Sequence, residues 1–397
     1  MGMRLHLFFS VSLIACGGTL RNAAPEPLAS SPVPPGFDRF HSSVVHQSIE
    51  GSASVGADGN VAVTDVSQRM TLLLHDRGAR ISFGTVSSAE RGGALAHAMQ
   101  FLRMPTEAVD AIFDGHALCA LRNDGKIRCA DLESHEKTEI TADPSSTRLL
   151  ALGNHVICAM RPAGDFQCFE GEKEQKGLAS QLAENGPAAD VIPESPCFVT
   201  RDKKLACMDR TFMDFRGVHV VATDVERASV TDSIGDLGGG CAIKSDATVV
   251  CWGGFNELGQ SGDGKRGPHD GPWNVKGVAN AIDVARGPLH ACALTKEHAV
   301  MCWGAADEYA FGDAALASAT HFRTCDQGES PGGGNCVTKA PMGKTNGALH
   351  LVPVRVPELE GVVSIAVGAD VTCGLRTDGV VLCVGNGHAG PWTLRTR

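Results

Sequence analysis

The sequence predicts an all-β fold assembled from copies of one four-stranded unit. Three observations carry this. Six pairs of cysteines stand ten residues apart along the chain. Between the members of a pair the residues read strand, turn, strand, most plainly in Cys241 to Gly264, CAIKSDATVVCWGGFNELGQSGDG. The intervals between pairs hold short apolar runs broken by Pro, Gly and Asn, with no sustained helical period.

The hairpin explains the spacing. In Cys119-Ala-Leu-Arg-Asn-Asp-Gly-Lys-Ile-Arg-Cys129, a three-residue loop over Asn123, Asp124 and Gly125 is a type I turn closed by a glycine in the left-handed region. That loop sets Arg122 against Lys126, Leu121 against Ile127 and Cys119 against Cys129. Opposed residues of antiparallel strands lie about 4.5 to 5.5 Å apart at Cα, a separation that a disulfide accepts. Side-chain alternation puts Leu121 and Ile127 on the face that carries the bridge, so that face is expected to be buried. The same spacing pairs Cys158 with Cys168, Cys197 with Cys207, Cys241 with Cys251, Cys292 with Cys302 and Cys373 with Cys383; Cys325 and Cys336 stand eleven apart. Two other uses of these cysteines stand beside disulfides. One is free thiols buried as small hydrophobes in a reducing compartment; the other is zinc, against which the lack of closely spaced cysteine ligands argues.

A seventh copy without cysteines runs from Leu72 to Ser82, with Gly78 at the offset of Gly125. The turn glycine recurs as Gly164 and Gly379, but Lys203, Ala247 and His298 take its place in the other copies. Those three turns must either change form or carry strain. Ahead of each hairpin lies a second recurring piece, clearest in Val352 to Gly368 and Trp273 to Gly287, which supplies two further strands per copy. A four-stranded unit exposes both faces and needs neighbours, so the copies must stack as a ring or an open array.

Composition sets the class. The 47 glycines and 43% hydrophobic content in 397 residues fit a globular protein with many turns. A formal charge of −10 without a basic run argues against nucleic acid as a partner. Near the N-terminus, Leu7 to Ala15 suits a signal-peptide core and is too short to span a bilayer. Leu13-Ile14-Ala15-Cys16, followed by Gly17-Gly18, resembles the lipobox of bacterial lipoproteins. This implies that Cys16 becomes the lipidated first residue of the mature chain; the other reading is a plain secretory signal with a chance cysteine. With Cys16 given to lipid, the other cysteines of an odd total of 15 all pair, and export into an oxidising compartment favours disulfides. The expected organisation is a signal peptide over 1–15, a Pro/Ala/Ser-rich tether over 16–40 and the repeats over 41–397.

Three copies carry a family resemblance. Pro353 to Cys383, Gly287-Pro-Leu-His-Ala-Cys-Ala-Leu294, and Cys251-Trp-Gly-Gly-Phe-Asn-Glu-Leu-Gly-Gln-Ser-Gly-Asp-Gly264 are similar to the repeat of the regulator of chromosome condensation (RCC1) family. Residues 119–207 keep the hairpins but lose the CWGxNxxGQ segment, which gives way to Cys129-Ala130-Asp131 and Cys168-Phe169-Glu170. The resemblance implies a seven-bladed β-propeller, in agreement with the count of seven copies. On that plan, Val44 to Val66 and the tail after Cys383 are the candidates to complete one shared blade. Trp252 and Trp303 are expected to pack between blades.

Function is sought where the repeat breaks. The interval from one hairpin to the next is 29 residues after Cys129 but 71 after Cys302. The excess is an insertion at about 305–350 that holds Cys325 and Cys336. As a binding element its contact residues would be Phe311, His321, Phe322 and Arg323; the other reading is a drifted surface loop. His116, His155 and His290 precede hairpin cysteines and are read as structural. Asp263, Lys265 and Asp270 are read as a turn rather than a calcium loop, and Gly238 to Gly240 and Gly253-Gly254 lack the following helix that a phosphate cradle needs. No metal, cofactor or catalytic motif is read from the chain.

Relatives of the repeat include nucleotide-exchange factors and inhibitors of secreted enzymes. The exchange role needs a cytosolic GTPase, and the export signal sets it aside. The expectation is a non-catalytic, monomeric protein, lipid-anchored in a bacterial envelope on its periplasmic or surface side, with no other membrane contact. It would bind an unidentified protein through propeller-face loops as scaffold, recognition element or inhibitor. Two alternatives are a hydrolase or lyase acting on envelope polymers through acidic residues at the channel, and a structural envelope module without a tight partner.

Overall fold

A computed structural model of the chain describes the strands at 41–42, 51–55, 61–66, 70–74 and 80–85, and residues 108–394 except for 114–116, 132–133, 135, 154–155, 193–194, 211–214, 232–238, 254–255, 268–270, 288, 307–309, 313–319, 325–335, 338–345, 369–370, 377–380 and 386–387. Cys16 with the signal and tether segments, His116, His155, Asp270 and Cys325 therefore lie outside the described residues.

The described strands form seven sheets. The first holds β1 (His41–Ser42), β2 (Gly51–Val55), β3 (Val61–Val66), β4 (Met70–Leu74) and β5 (Arg80–Thr85). Sheet 2 holds β6 (Ala108–Phe113), β7 (Ala117–Arg122), β8 (Lys126–Asp131) and β9 (Lys137–Thr141), and sheet 3 holds β10 (Arg148–Gly153), β11 (Val156–Met160), β12 (Phe166–Glu170) and β13 (Lys173–Glu174). Sheet 4 holds β14 (Ala188–Ile192), β15 (Cys197–Thr200), β16 (Lys204–Arg210) and β17 (Phe215–Thr223), and sheet 5 holds β18 (Val225–Thr231), β19 (Gly239–Lys244), β20 (Val249–Trp252) and β21 (Trp273–Asn274). Sheet 6 begins with β22 (Ala281–Arg286), β23 (His290–Thr295) and β24 (Val300–Ala305) and ends with β25 (Thr320–Thr324), β26 (Cys336–Val337) and β27 (Asn346–Arg355). Sheet 7 holds β28 (Val362–Val367), β29 (Val371–Arg376), β30 (Val381–Gly385) and β31 (His388–Leu394).

Sheets 2 to 7 share one plan. Their first strands, β6, β10, β14, β18, β22 and β28, lie beside one another in that order, and β28 also meets β5, which in turn meets β6. This is the arrangement of a β-propeller, with the first strands innermost. Alternation along each hairpin divides its side chains between two neighbours. Cys241, Ile243, Val249 and Cys251 pack toward sheet 6, where they meet Val284, Ala291 and Trp303. Ala242, Val250 and Trp252 pack back toward sheet 4, against Val199 and Leu205. The disulfide face of sheet 4 likewise meets sheet 5, and that of sheet 6 meets sheet 7. Both tryptophans thus fill the gap to the preceding sheet. The six pairs spaced by ten are disulfides, each joining directly opposed residues with Cα atoms 3.9 to 4.1 Å apart.

The hairpin turns keep one form whether or not glycine is present. Gly125 has φ 80° and Gly164 88°, and Lys203, Ala247 and His298 hold 63°, 62° and 59°. Of the two outcomes open to those three turns, strain is the one observed. The turn is held from both sides. The Gly125 N–H donates to Arg122 O (3.0 Å) and its carbonyl accepts from Ala142 N (2.9 Å). In the same way the Lys203, Ala247 and His298 carbonyls accept from Val225, Ala281 and Gly361, residues at or near the start of the next sheet.

Three features depart from the sequence reading. No sheet is shared between the chain ends among the described residues: β2 and β3 pair within sheet 1, and β31 pairs with β30. In β4 and β5, Leu72 faces Phe83 and Leu73 faces Ser82, one residue out of step with the disulfide hairpins. Finally, α1 (Lys176–Ala183) lies between β13 and β14. Its Leu178 and Leu182, spaced to share a helical face, are buried with Phe166 and Phe198 in the seam between sheets 3 and 4.

Candidate functional site

The strand directions give the ring two unlike ends. At one end lie the hairpin turns and the links to the next sheet; the links from sheets 2, 4, 5 and 6 are short and bonded as just described, and the link from sheet 3 carries α1. Charges at this end are matched locally: Lys126 and Arg128 grip Glu139 at 2.5 and 2.6 Å, Lys204 meets Asp202 at 2.6 Å, Arg161 lies 3.6 Å from Asp143, and Lys203 pairs with Glu226. At the other end lie the long connections, 232–238, 253–272 and 306–345. All three belong to sheets 5 and 6.

The described residues of 253–272 and of the insertion with β27 form one lobe. Asn256, 1% exposed, organises the first: its Oδ1 accepts from Ser261 N (2.8 Å), its Nδ2 donates to Lys265 O (3.1 Å), and its carbonyl accepts from Gly259 and Gly267. Asp263 Oδ1 caps Lys265 N at 3.1 Å, so this acidic stretch is a self-bonded turn. The loop is stitched to the insertion. Gly264 N donates to Leu351 O (2.9 Å), and a Cβ on Gly259 would stand 2.7 Å from Leu351 Cδ2. Leu258, Leu289, Ala305 and Leu349 form a small core there, with Leu351 packed against it. The insertion itself extends sheet 6: the later half of β27 pairs with β24, and its first residues pair with β25, with Thr320 opposite Leu349 and Arg323 opposite Asn346.

Beneath the lobe, Gln260 O accepts from Trp303 Nε1 (2.8 Å) and Arg286 Nη1 (3.3 Å). Arg286 is 1% exposed, and burial pulls its guanidinium down to about 10. Burial also lowers Arg266, partly offset by the Glu257 carboxylate. Gly240 beside them has a packing cause, because a Cβ there would stand 2.4 Å from the Trp252 ring.

The insertion leaves the ring from a fixed root. Thr372 Oγ1 donates to Ala310 O (2.8 Å) and lies 2.8 Å from His290 Nε2. The hydroxyl has a single proton, which the carbonyl takes, so His290 Nε2–H is the donor to Thr372. Phe311 stacks between His290 and His350, with ring centroids 5.2 and 5.7 Å away. Phe311 is 0% exposed. This corrects its assignment as a contact residue: it is a core anchor joining sheets 6 and 7, and a bulky aromatic at a loop root buries more area inside than outside. His321, Phe322 and Arg323 fall on β25, with side chains outside the described residues. His290 is structural, as the sequence suggested.

Sequence reasoning missed a charged belt on the inner strands. Asp110, Arg148, Asp190, Arg227, Asp283 and Ser364 each stand opposite the residue two beyond a first hairpin cysteine. Asp110 Oδ2 accepts from Leu149 N of the next sheet at 2.7 Å. Arg148 lies 3.5 Å from Asp190, and Arg227 3.2 Å from Asp283. Asp283 Oδ2 also accepts from Ser364 Oγ (3.3 Å) and Ile365 N (3.2 Å). Burial alone would lower Arg148, but Asp110 and Asp190 on its two sides raise it. The available signal was weak, an acidic or hydroxyl residue nine before Cys119, Cys292 and Cys373. Among the described residues no group of three His, Cys, Asp or Glu is placed to hold a metal.

No family model matches the chain, and no curated protein matches it. Among solved structures, the chain is similar to Prp20p from Saccharomyces cerevisiae, described with its binding properties to Gsp1p and histones, at TM-score 0.50 and 12% identity over 91% of this chain and 88% of that one. It is also similar to a structure of Kap60 bound to yeast RCC1 (Prp20), at TM-score 0.42 and 13% identity over 84% of this chain and 74% of that one. Identity at this level speaks for the fold alone, and the fold is an RCC1-like β-propeller.

Proposed function

We propose that this RCC1-like propeller is an exported, lipid-anchored protein of a bacterial envelope that binds another protein through the lobe of sheets 5 and 6. The carrying observation is the inequality of the two ends of sheets 5 and 6: the hairpin-turn end is closed by short, bonded turns, and at the other end the described residues of 253–272 are stitched to the insertion strand β27 in one body. Long connections held on a rigid scaffold are where binding surfaces reside. The bacterial anchor rests on Leu13-Ile14-Ala15-Cys16. The similar yeast protein is described with protein partners, which agrees with a binding role and names no partner for this chain. The hydrolase alternative draws less support, because the inner-strand carboxylates Asp110 and Asp283 are committed to neighbouring sheets.

Two measurements test the proposal. Cys16→Ser should move the protein from the membrane to the soluble fraction; retention at the membrane refutes the anchor. A photo-crosslinking side chain at Val352, on the lobe, should yield a discrete adduct in the native envelope, and one at Asn123, on the turn end, should not. Adducts from Asn123 alone would refute the choice of face.

A further inference from the structure

Around Gly264 the lobe presents a small patch of cations and apolar surface. Lys265 Nζ lies 5.2 Å from the centre of the Trp273 ring. A Cβ on Gly264 would stand 3.3 Å from Lys276 Nζ and 3.5 Å from Val352 Cγ1, so these two groups meet above a glycine that has φ 85°. Lys265 and Lys276 are exposed, Trp273 is half-buried, and Val352 is 42% exposed. The backbone beneath is fixed: Lys276 N donates to Gly262 O at 3.0 Å, and Lys265 N is capped by Asp263. Asp263 is itself buried. No ion pair engages Lys265 or Lys276 among the described residues, whereas Lys126, Lys203 and Lys204, beside the hairpin turns, are paired with carboxylates.

We infer that this patch docks an acidic segment of the partner protein, two carboxylates reaching Lys265 and Lys276 while an apolar side chain between them covers Trp273 and Val352. The inference rests on the lobe being the binding face. Charge complementarity selects the occupant: the chain carries a net −10, so a patch that exposes Lys265 and Lys276 while Asp263 beside them is buried is a site where an acidic partner meets attraction rather than repulsion. A held backbone fixes the roots of both lysine side chains before binding, which lowers part of the ordering cost of docking. A lipid surface fits less well, since insertion needs a broad apolar face. The exposed large hydrophobics among the described residues are Val220, Ile282 and Val352, of which only Val352 adjoins the patch.

The test uses the purified full chain and a fluorescein-labelled dodecapeptide of alternating Glu and Val, with a Lys/Val peptide as its counterpart. Anisotropy should show binding of the acidic peptide alone, weakening as salt is raised and the Debye length shortens. K265Q/K276Q should weaken binding about fivefold to tenfold, as for two partly exposed ion pairs, while Lys126→Gln at the other end should leave it unchanged. Equal binding of both peptides, or of the double variant and the parent, overturns the inference. Sedimentation with phosphatidylglycerol vesicles that depends on Lys265 and Lys276, without peptide binding, overturns it in favour of a lipid surface. Failure of the peptide while Val352 still crosslinks a partner removes this inference and leaves the binding face standing; Lys-dependent peptide binding without a Val352 adduct does the reverse.

Discussion

Asp283 is the most informative position in the belt. Its carboxylate is 1% exposed and takes Arg227 at 3.2 Å, its neighbour Val284 N at 3.0 Å, and Ser364 Oγ and Ile365 N of sheet 7 at 3.3 and 3.2 Å. Asp283→Ala strips an acceptor from Val284 N, Ser364 Oγ and Ile365 N at once and takes its carboxylate from the Arg227 guanidinium, 16% exposed. Removing one partner from such a buried pair costs about 3 to 5 kcal/mol, and the residual exposure of Arg227 puts the expected loss near the lower figure. Asp283→Asn keeps an acceptor oxygen and gives up the charge, for an expected loss of about 1 to 2 kcal/mol. The assay is equilibrium unfolding of the oxidised chain in urea, followed by tryptophan fluorescence, with Arg227→Met completing a double-mutant cycle. Coupling of about 1 to 3 kcal/mol is expected. A shift of Asp283→Ala within about 0.5 kcal/mol of the parent, or additive behaviour in the cycle, would show that the belt does not hold sheets 5, 6 and 7 together.

The strained turns make an opposite pair of predictions. Ala247→Gly should stabilise the chain by about 0.5 to 1 kcal/mol, the left-handed strain relieved less the added freedom of the unfolded glycine; Gly125→Ala should destabilise it, because the new Cβ stands 2.7 Å from Pro144 Cα. Urea midpoints that fail to move in these opposite directions would contradict the shared turn form. Cys292→Ala/Cys302→Ala should lower stability by about 3 kcal/mol, the closure entropy of a hairpin-sized loop, and peptide mapping without reductant should return each pair within its own hairpin; a bridge between hairpins would contradict the fold. Acid sensitivity has a definite sign. Hydrogen bonds from Lys126 and Arg128 hold Glu139 below its ordinary 4.5, and Lys203 with Ser245 does the same for Glu226. Their contribution is therefore complete above the ordinary carboxylate value and is lost as pH falls through the lower folded values. The urea midpoint should hold steady down to about pH 5 and then decline, less steeply in Glu139→Gln; identical slopes would remove Glu139 as a cause.

The repeated unit is legible in the sequence because its determinants are local. A spacing of ten places both cysteines of a hairpin across from one another in any antiparallel pair, and period-two alternation then fixes which side chains share the disulfide face. The strands, the six bridges and the placing of Trp252 and Trp303 between sheets follow from that. The helix at Lys176–Ala183 was legible only in the pair Leu178 and Leu182, too short a stretch to establish a period. The fate of Phe311 depended on three separate elements meeting, His290, His350 and Thr372, which no spacing connects. The belt needed the ring itself, since Asp110 and Leu149, or Asp283 and Ile365, become neighbours only when successive sheets pack side by side. The same holds for the lobe. The sequence could say that 305–350 interrupts the repeat, but strand direction put it at the same end as 253–272, and tertiary packing joined Gly264 to Leu351 into one surface.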